Sequence, residues 1–389
     1  MHHFWMPHQE LSLGRFRTPQ RPNSTQSRLA TSSYHTRLVY GSGWPILFQQ
    51  IYNTDMQLLK QAVGIDISKQ TLSVCFGTID HQQQVRFTEE LSLKNSAEGF
   101  ARLLELSQQH QIEGIDTWFI VEATGVYYQN LAHFLAEAQQ KLCVMLPNYV
   151  KQFARSTSVK TKTDRVDARL LCRMALERQL DLWQPASPLM RQLKALTRER
   201  AAITEQLKGI TNRLAALDAS YAPSQQQCTR LEQHRKLYQK HRKQIEAEIT
   251  ALLSSDPDLH DRIKGVMQIS GVGLVTIATL LAETDGFAMV GSLKQLVSYA
   301  GLDIVESQSG QHQGRSRISK KGNCRLRTAL YMPALAAIRC DESMRAFYQR
   351  ICQRRPESKK PGIIAVARKL LRLIYAIWKT GEAYDPQRI

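Results

Sequence analysis

Short apolar runs alternate with polar segments between residues 56 and 185. Apolar runs rich in β-branched and aromatic residues predict strands, and apolar residues at helical spacing predict amphipathic helices. The strands are predicted at residues 62–67, 71–77, 84–88, 117–121 and 142–146, and the helices at residues 95–110 and 127–139. The first three strands follow one another as a meander, whereas the later strands alternate with helices. This order predicts an α/β domain over residues 56–185.

A different pattern follows over residues 186–257, where apolar residues recur in steps of four and three. Such a seam is typical of a coiled coil. It consists of Leu189, Leu193, Leu196, Ile203, Leu207, Ile210, Leu214 and Leu217. After a break near Pro223, a second helix repeats at seven through Leu231, Tyr238, Ile245 and Leu252. The pattern predicts a helical arm, whose two helices either pack on each other as an antiparallel hairpin or mediate contacts in an oligomer.

Residues 258–389 carry mostly helical patterns and predict an all-α C-terminal domain after the α/β domain and the arm. Two apolar segments in residues 263–283 flank the turn SGVG, which resembles a helix–hairpin–helix, where backbone amides meet a DNA phosphate. A tight turn between packed helices is the alternative interpretation. Further helices are predicted at residues 326–339, kinked or broken near Pro333, and at residues 363–380.

Residues 1–55 are rich in His, Gln, Ser, Thr, Arg and Pro and have no sustained hydrophobic period. They predict either a disordered tail or upstream sequence translated from an early start codon. The second interpretation is favoured because Met56 directly precedes the organised α/β pattern. We assign no function to this extension.

The composition narrows the class of partner. A formal net charge of +18 over 389 residues favours nucleic acid or an anionic surface as the partner. The seven scattered cysteines contain no CxxC pair, which argues against a zinc site and for a reducing compartment. No apolar run approaches the roughly 18 residues that a membrane span needs. We therefore expect a cytoplasmic protein, associated with the nucleoid of a prokaryote, with no membrane partner.

The segment KTKTDRVDARLL, residues 160–171, places two carboxylates three residues apart in a predicted helix. Asp164 and Asp167 would share one helix face. A divalent cation such as Mg²⁺ relieves the repulsion between paired carboxylates. The pair is flanked by four cations that could bind a polyanion, namely Lys160, Lys162, Arg165 and Arg169. An ordinary solvated face with ion pairs is the alternative for this segment taken alone.

Two further acids, Asp66 and Glu122, follow the apolar runs of predicted strands. Acids from a first strand, a later strand and a helix resemble the ribonuclease-H-like fold of RuvC-type resolvases. In such folds these elements hold two Mg²⁺ ions about 4 Å apart. The motif GIDIS also resembles a phosphate loop of actin-like ATPases, but the second Gly-rich phosphate loop and the adenosine loop of that fold are not found.

A Gly-, Ser- and Gln-rich segment over residues 302–322 leads into a stretch without acids. This is the composition expected of a loop that grips phosphate. Its predicted nucleic-acid-binding residues are Arg315, Arg317, Lys320, Lys321 and Arg325.

Six motifs in order make the chain resemble the DEDD-type transposases of the insertion-sequence 110 family, which includes invertases of the Piv type. They are GIDISKQTLSV, VEATGVYY, VKTKTDRVDARLL, ISGVGLVTIATLLAE, YAGLDIVESQSG and SRISKKGNCRLRTALYMPALAA. The resemblance spans residues 61–385, apart from the middle of the arm, and the last three motifs are specific to this family.

The resemblance implies a recombinase whose RuvC-like domain holds two Mg²⁺ ions, which Mn²⁺ can replace, with Asp66, Glu122, Asp164 and Asp167. The resemblance also implies a C-terminal transposase domain whose serine, here Ser309, forms a covalent phosphoserine intermediate. The implied partners are donor and target double-stranded DNA, a structured non-coding guide RNA and further copies of the chain in a dimer or tetramer.

The sequence departs from the family pattern in one loop, which begins AGLDI rather than AGLTP. Ser307, Ser316 and Ser319 are alternative nucleophiles near Ser309. Three alternative functions also stay open: a DNA invertase of the same family, a metal nuclease without a covalent intermediate, and a nucleic-acid-binding scaffold without catalysis.

Overall fold

A computed structural model describes residues 57–389 with several gaps. The gaps are residues 158, 160, 307, 310, 311, 314–316, 355, 383 and 386–389. The interpretations of residues 1–55, and those of Lys160, Ser307, Arg315 and Ser316, therefore lie outside the described residues.

A five-stranded mixed sheet forms the first half of the described chain. Its strands are β1 (Leu58–Ile67), β2 (Thr71–Asp80), β3 (Val85–Lys94), β4 (Thr117–Glu122) and β5 (Lys141–Met145). They lie in the order β3-β2-β1-β4-β5, with β1, β2 and β3 antiparallel and β4 and β5 parallel to β1. The meander and the α/β class are confirmed, and the strands extend beyond their predicted ends because antiparallel pairing continues through polar residues.

Helices cover both faces of this sheet. They are α1 (Ala97–Gln109), α2 (Gln129–Glu137), α3 (Pro147–Ser156) and α4 (Asp164–Glu177). Phe100 of α1 and Leu131 of α2 join the hydrophobic cluster on one face. Phe153 of α3 and Leu171 of α4 join the cluster on the other. A parallel pair with both faces covered must carry apolar side chains on both sides, as the apolar runs of β4 and β5 do.

Two long helices follow, α5 (Pro188–Asp218) and α6 (Gln225–Ser254), and they pack against each other. The buried positions of the predicted seam are Leu193, Leu196, Ile203, Leu207 and Ile210. The first four of these share one hydrophobic core with Ile245, Ile249 and Leu253 of α6 and with the C-terminal helices. Leu214, Leu217 and Leu231, near the turn between the helices, are only half-buried.

The remainder is mainly helical. Its helices are α7 (Pro257–Met267), α8 (Leu274–Thr284), α9 (Leu293–Tyr299), α10 (Cys324–Cys340), α11 (Glu342–Gln353) and α12 (Lys360–Thr380). Between α9 and α10 lie four two-residue strands, β6 (Ile304–Val305), β7 (Gln308–Ser309), β8 (His312–Gln313) and β9 (Arg317–Ile318). No helix among the described residues is long and apolar enough to span a membrane.

Of the kink or break predicted near Pro333, the break is absent, because helix α10 continues through this residue. Leu330, Pro333, Ala334 and Ala337 are buried, and their packing compensates for the hydrogen bond that proline cannot donate. The backbone of Gly271, in the turn between α7 and α8, lies close to the backbone of α10. A Cβ added at Gly271 would be 2.7 Å from the Pro333 carbonyl oxygen. Gly271 also has a φ of +85°, which favours glycine. This turn therefore packs directly on α10.

Candidate active site

Asp66 and Glu122 lie at the same edge of the sheet. Strands β1 and β4 are parallel, and Ile65 pairs with Val121, so the next residue on each strand is one of the two acids. Carboxyl ends of parallel strands are where α/β sheets commonly place their sites.

Asp164 and Asp167 occupy the first turn of α4. Thr163 caps the helix, its hydroxyl oxygen accepting a hydrogen bond from the Val166 amide at 3.3 Å. This cap fixes the helix start so that the two aspartates share one face, where the helix dipole favours negative charge.

Gly64 brings helix α4 onto strand β1. A Cβ at this position would lie 2.2 Å from both the Ala168 carbonyl oxygen and the Cys172 amide nitrogen. The backbones of the strand with Asp66 and the helix with Asp164 and Asp167 are therefore in direct contact. Only a residue without a side chain permits that approach.

The charges of the four acids act on one another. Burial raises the pKa of Asp66 to about 6, with further contributions from the nearby carboxylates of Asp167, Asp164 and Glu122, in that order. Burial and the Asp164 carboxylate also raise the pKa of Asp167, against the opposing effect of Lys162. The structure thus brings the four sequence-predicted acids together.

A divalent cation that prefers oxygen ligands fits the chemistry of this cluster, because it would relieve repulsion among converging carboxylates. As the side chains stand, no three His, Cys, Asp or Glu residues in the described part of the chain are near enough to one another to hold a metal. The two observations are compatible, because electrostatic repulsion between carboxylates acts over longer distances than metal coordination.

The predicted cations around the pair have different surroundings. Lys162 is exposed and acts on Asp167. Arg165 and Arg169 instead form ion pairs with Glu90 of β3, the Arg165 Nε lying 3.4 Å from Glu90 Oε2. Sequence reasoning did not single out Glu90, because its two partners lie on a helix far along the chain.

Ser309 lies on a separate element, an antiparallel ribbon in the C-terminal half. Strand β6 pairs with β9 at its base, and β7 pairs with β8 further out, where the backbone of Ser309 is in register with that of His312. Ser319, one of the alternative nucleophiles, donates its hydroxyl hydrogen bond to Asp303 at the base of the ribbon. Its hydroxyl is thereby engaged within the protein.

A buried ion pair that sequence reasoning missed lies beside this ribbon. Glu283 of α8 is 1% exposed and accepts hydrogen bonds from Arg198 and, at 2.8 Å, from Asn323 Nδ2. The predicted nucleic-acid ligand Arg325 lies 3.8 Å from the same carboxylate. Burial acts to raise the pKa of Glu283, but these donors outweigh it and the net pKa is lowered. An acid at the end of the apolar segment TIATLLAE was the available signal.

Two family models match the chain. Residues 63–223 match a model for DEDD transposases of the IS110 type, described as "Transposase". Residues 264–349 match a model described as "Transposase IS116/IS110/IS902 family".

Two curated relatives match most of the chain, and a third matches part of it. The Pilin gene-inverting proteins of Moraxella lacunata and Moraxella bovis are each 32% identical over 328 residues, which is 84% of this chain and 98% of theirs. The Insertion element IS900 uncharacterized 42 kDa protein of Mycobacterium paratuberculosis is 32% identical over 130 residues, 33% of this chain and 32% of its own. Among solved structures, Thermus thermophilus RuvC matches this chain at 15% sequence identity and a TM-score of 0.26. The match covers 32% of this chain and 99% of the RuvC chain.

Proposed function

The chain belongs to the IS110 family of DNA transposases and recombinases, and from that premise we propose that it cuts and rejoins DNA at the four acids with Ser309 as nucleophile. The observation that carries the proposal is the convergence of Asp66, Glu122, Asp164 and Asp167. Burial is the largest cause of the rise in the Asp66 pKa to about 6, and the other three carboxylates add to it. Converging carboxylates destabilise one another unless a cation joins them.

Two Mg²⁺ ions would be held by the carboxylates of Asp66, Glu122, Asp164 and Asp167. Mn²⁺ could replace Mg²⁺ there. Such ions supply Lewis acidity, polarising the scissile phosphate and activating a weak hydroxyl nucleophile. The chain's own contribution is to fix four carboxylates on one sheet edge and one helix N-terminus, in a ribonuclease-H-like arrangement.

In the proposed cleavage step, a bond forms between Ser309 Oγ and phosphorus while the bond from phosphorus to a sugar oxygen breaks. The serine proton passes to a base, and the departing sugar oxygen gains a proton. Energy of the phosphodiester is retained in the phosphoserine ester, so a sugar hydroxyl of a second strand can reverse the step and rejoin the DNA. Ser307 and Ser316 are the alternatives for the attacking group.

Exposed apolar side chains beside the acids support contact with DNA. Tyr127 follows strand β4 and Tyr149 follows β5, and they are 42% and 57% exposed. Asn95 Nδ2 donates to the carbonyl oxygens of Ser68, at 2.9 Å, and Tyr127, at 3.3 Å. This bridge ties the loop of Tyr127 to the turn directly after Asp66.

The partners follow from the same proposal. Donor and target duplexes would be selected by a structured non-coding RNA. The phosphates would be contacted by the predicted basic residues Lys160, Lys162, Arg165, Arg169, Arg315, Arg317, Lys320, Lys321 and Arg325. Arg165 and Arg169 would have to leave their ion pairs with Glu90 to make that contact. The turn between α7 and α8 would act as a helix–hairpin–helix.

The two long helices would serve as a coiled-coil arm in a dimer or tetramer. Leu237 of α6 is 47% exposed, and Leu214, Leu217 and Leu231 near the turn are only half-buried within one chain. Burial of these side chains by a second copy would be favourable. In this organisation residues 56–185, 186–257 and 258–389 are the catalytic domain, the arm and the transposase domain.

Inversion of a single DNA segment is the second candidate function. It is favoured by alignment over 98% of the length of the Pilin gene-inverting protein of Moraxella lacunata. A plasmid carrying the DNA that flanks the gene distinguishes the two, because an invertase reorders that segment and a transposase moves it to another molecule.

The test of catalysis is cleavage of a supercoiled plasmid with Mg²⁺, and its loss with EDTA. Asp167→Asn should abolish cleavage and leave DNA binding largely intact, because phosphate contacts supply most of the affinity. Asp116→Asn is the matched control, since this exposed aspartate lies before the opposite end of β4 and pairs with Lys141. Cleavage by Asp167→Asn at the wild-type rate would disprove the assignment of the four acids.

A further inference from the structure

A large groove lies among the C-terminal helices, away from the four acids. It encloses about 1460 Å³ between the base of the β6–β9 ribbon and helices α10, α11 and α12. Its size suits part of a polymer rather than one small ion. The sequence-predicted ligands Arg317 and Lys320 line only the ribbon side of this groove.

Nine basic side chains and no acidic one are found among the described residues that line the groove. The six contributed by α11, α12 and the segment between them are Arg350, Arg354, Lys360, Arg368, Lys369 and Arg372. The ion pairs that the described residues form with one another involve other side chains. So many positive charges along one concave surface, with no acid among its described lining residues, indicate a polyanionic ligand.

Crowding within the groove supports the same conclusion. Burial lowers the pKa of Lys369, and the neighbouring Arg350 lowers it further, against the opposing effect of Asp341. Lys369 and Arg350 both lie over the ring of Phe347, at 4.9 and 5.4 Å from its centroid. The Nε of Arg368 is buried and has no hydrogen-bond partner among the described residues. A phosphate near Lys369 and Arg350 would reduce the repulsion between these cations.

The floor of the groove is apolar, and this decides which form of polyanion fits. Met332 is 67% exposed and Ile304 is 55% exposed, and Tyr331 lies next to Met332 on α10. A duplex presents phosphates and keeps its base faces stacked inside, so it would leave this floor uncovered. A single strand presents bases that can pack on apolar and aromatic side chains while its phosphates contact the cations.

We propose that this groove binds a single-stranded segment of nucleic acid, with phosphates along the cations of α11 and α12 and bases on the floor formed by Ile304, Tyr331 and Met332. This inference rests on the proposed recombinase function, in which strands leave one duplex before joining another. Ile304 and Arg317 belong to the paired base of the ribbon that carries Ser309. A strand in the groove would therefore lie beside the base of that ribbon.

The test measures binding alone, in full-length protein carrying Asp164→Ala, so that it does not depend on cleavage. Fluorescence anisotropy gives the Kd for labelled oligonucleotides of one sequence, as single-stranded DNA, single-stranded RNA and duplex DNA, over a range of salt. Arg350→Gln with Arg372→Gln removes two exposed cations of the groove. Lys236→Gln with Lys243→Gln removes two exposed cations of α6 and is the matched control.

The groove variant should weaken binding of a single strand at least tenfold more than binding of the duplex. Its plot of log Kd against log salt should become shallower by about 1.4, the value for two phosphate contacts to a single strand. The control should leave the ratio of single-strand to duplex affinity unchanged. A larger loss of affinity for single-stranded DNA or for single-stranded RNA identifies which of the two the groove binds. Both results support the proposal.

A second variant tests the floor without changing charge. Met332→Asn should weaken binding of the single strand severalfold and leave duplex binding unchanged, whereas Met332→Leu should retain wild-type affinity. Met332 is exposed, so neither change threatens folding. Equal losses for single strand and duplex, or no loss from either groove variant, would overturn the proposal. If Asp167→Asn loses cleavage but still binds a single strand in preference to a duplex, the catalytic site and the groove are each supported independently.

Discussion

Arg198 of α5 holds the buried carboxylate of Glu283 through two hydrogen bonds, at 2.8 Å from Nε and 3.0 Å from Nη2. The pair joins the first long helix to α8. Glu283 also accepts a hydrogen bond from Asn323, whose side-chain oxygen in turn accepts the Arg325 amide hydrogen at the start of α10. One acid therefore connects the first long helix to the segment that directly follows the Ser309 ribbon.

Glu283→Gln should lower the free energy of unfolding by roughly 1–3 kcal/mol, the cost typical of losing hydrogen bonds to a charged buried group. Thermal unfolding of the variant measures the loss. Glu205→Gln is the matched control, because Glu205 is exposed and its Lys208 partner lies 4.0 Å away. Comparable melting temperatures for Glu283→Gln and Glu205→Gln would show that the buried Arg198–Glu283 pair contributes no more to stability than an exposed pair. The net lowering of the Glu283 pKa means that its contribution is present above the unfolded pKa and is lost as the pH falls through the folded pKa.

The four-acid cluster should have the opposite dependence on pH. The pKa of Asp66 is raised to about 6 from 3.8, so between these values the folded state binds more protons than the unfolded state. Stability therefore falls as the pH rises through this interval. Asp66→Asn should raise the melting temperature at pH 7.5, on the order of 2–4 °C for a gain near 1 kcal/mol, and the gain should disappear near pH 4.

Metal binding can be tested on the same two proteins without measuring activity. Mg²⁺ should raise the melting temperature of the wild type, because a ligand that binds only the folded state stabilises it. Asp66→Asn should respond much less. An equal rise in both proteins would place the ion elsewhere.

Gly64→Ala should separate helix α4 from strand β1 and displace Asp164 and Asp167 from Asp66. The added methyl would meet backbone atoms at 2.2 Å, which flexible side chains cannot relieve. We expect a loss of about 1–3 kcal/mol from overpacking, together with a large fall in plasmid cleavage. Gly209→Ala is the control, since nothing lies within 4 Å of a Cβ in that helix and alanine favours helix there. If Gly64→Ala cleaves as well as Gly209→Ala, the close approach does not position the acids.

Period and order along the chain predicted the sheet, the long helices and the position of the four acids, because each signal is local. Asp66 and Glu122 end apolar strands, and Asp164 and Asp167 follow a Thr cap. Glu90 beneath Arg165 and Arg169, and Glu283 beneath Arg198, depend on residues far apart in sequence. Helix α10 likewise continues through Pro333 because tertiary packing outweighs a local preference. The groove was only partly predictable, since the basic composition of residues 345–361 was visible but its apolar floor was not.

The last prediction concerns the nucleophile. If Ser309 attacks the phosphodiester, a covalent adduct of protein and DNA must form and must survive denaturation in detergent. Ser309→Ala should eliminate the adduct on a denaturing gel with labelled substrate, whereas Ser307→Ala should keep part of the activity. Ser319→Ala is the internal control within the ribbon, because its hydroxyl already donates to Asp303 and its loss should leave the adduct in place. An adduct that persists in Ser309→Ala would move the attacking group to Ser307 or Ser316. Cleaved DNA without any adduct in the wild type would instead mean hydrolysis, and the four acids would then act as a two-metal nuclease site.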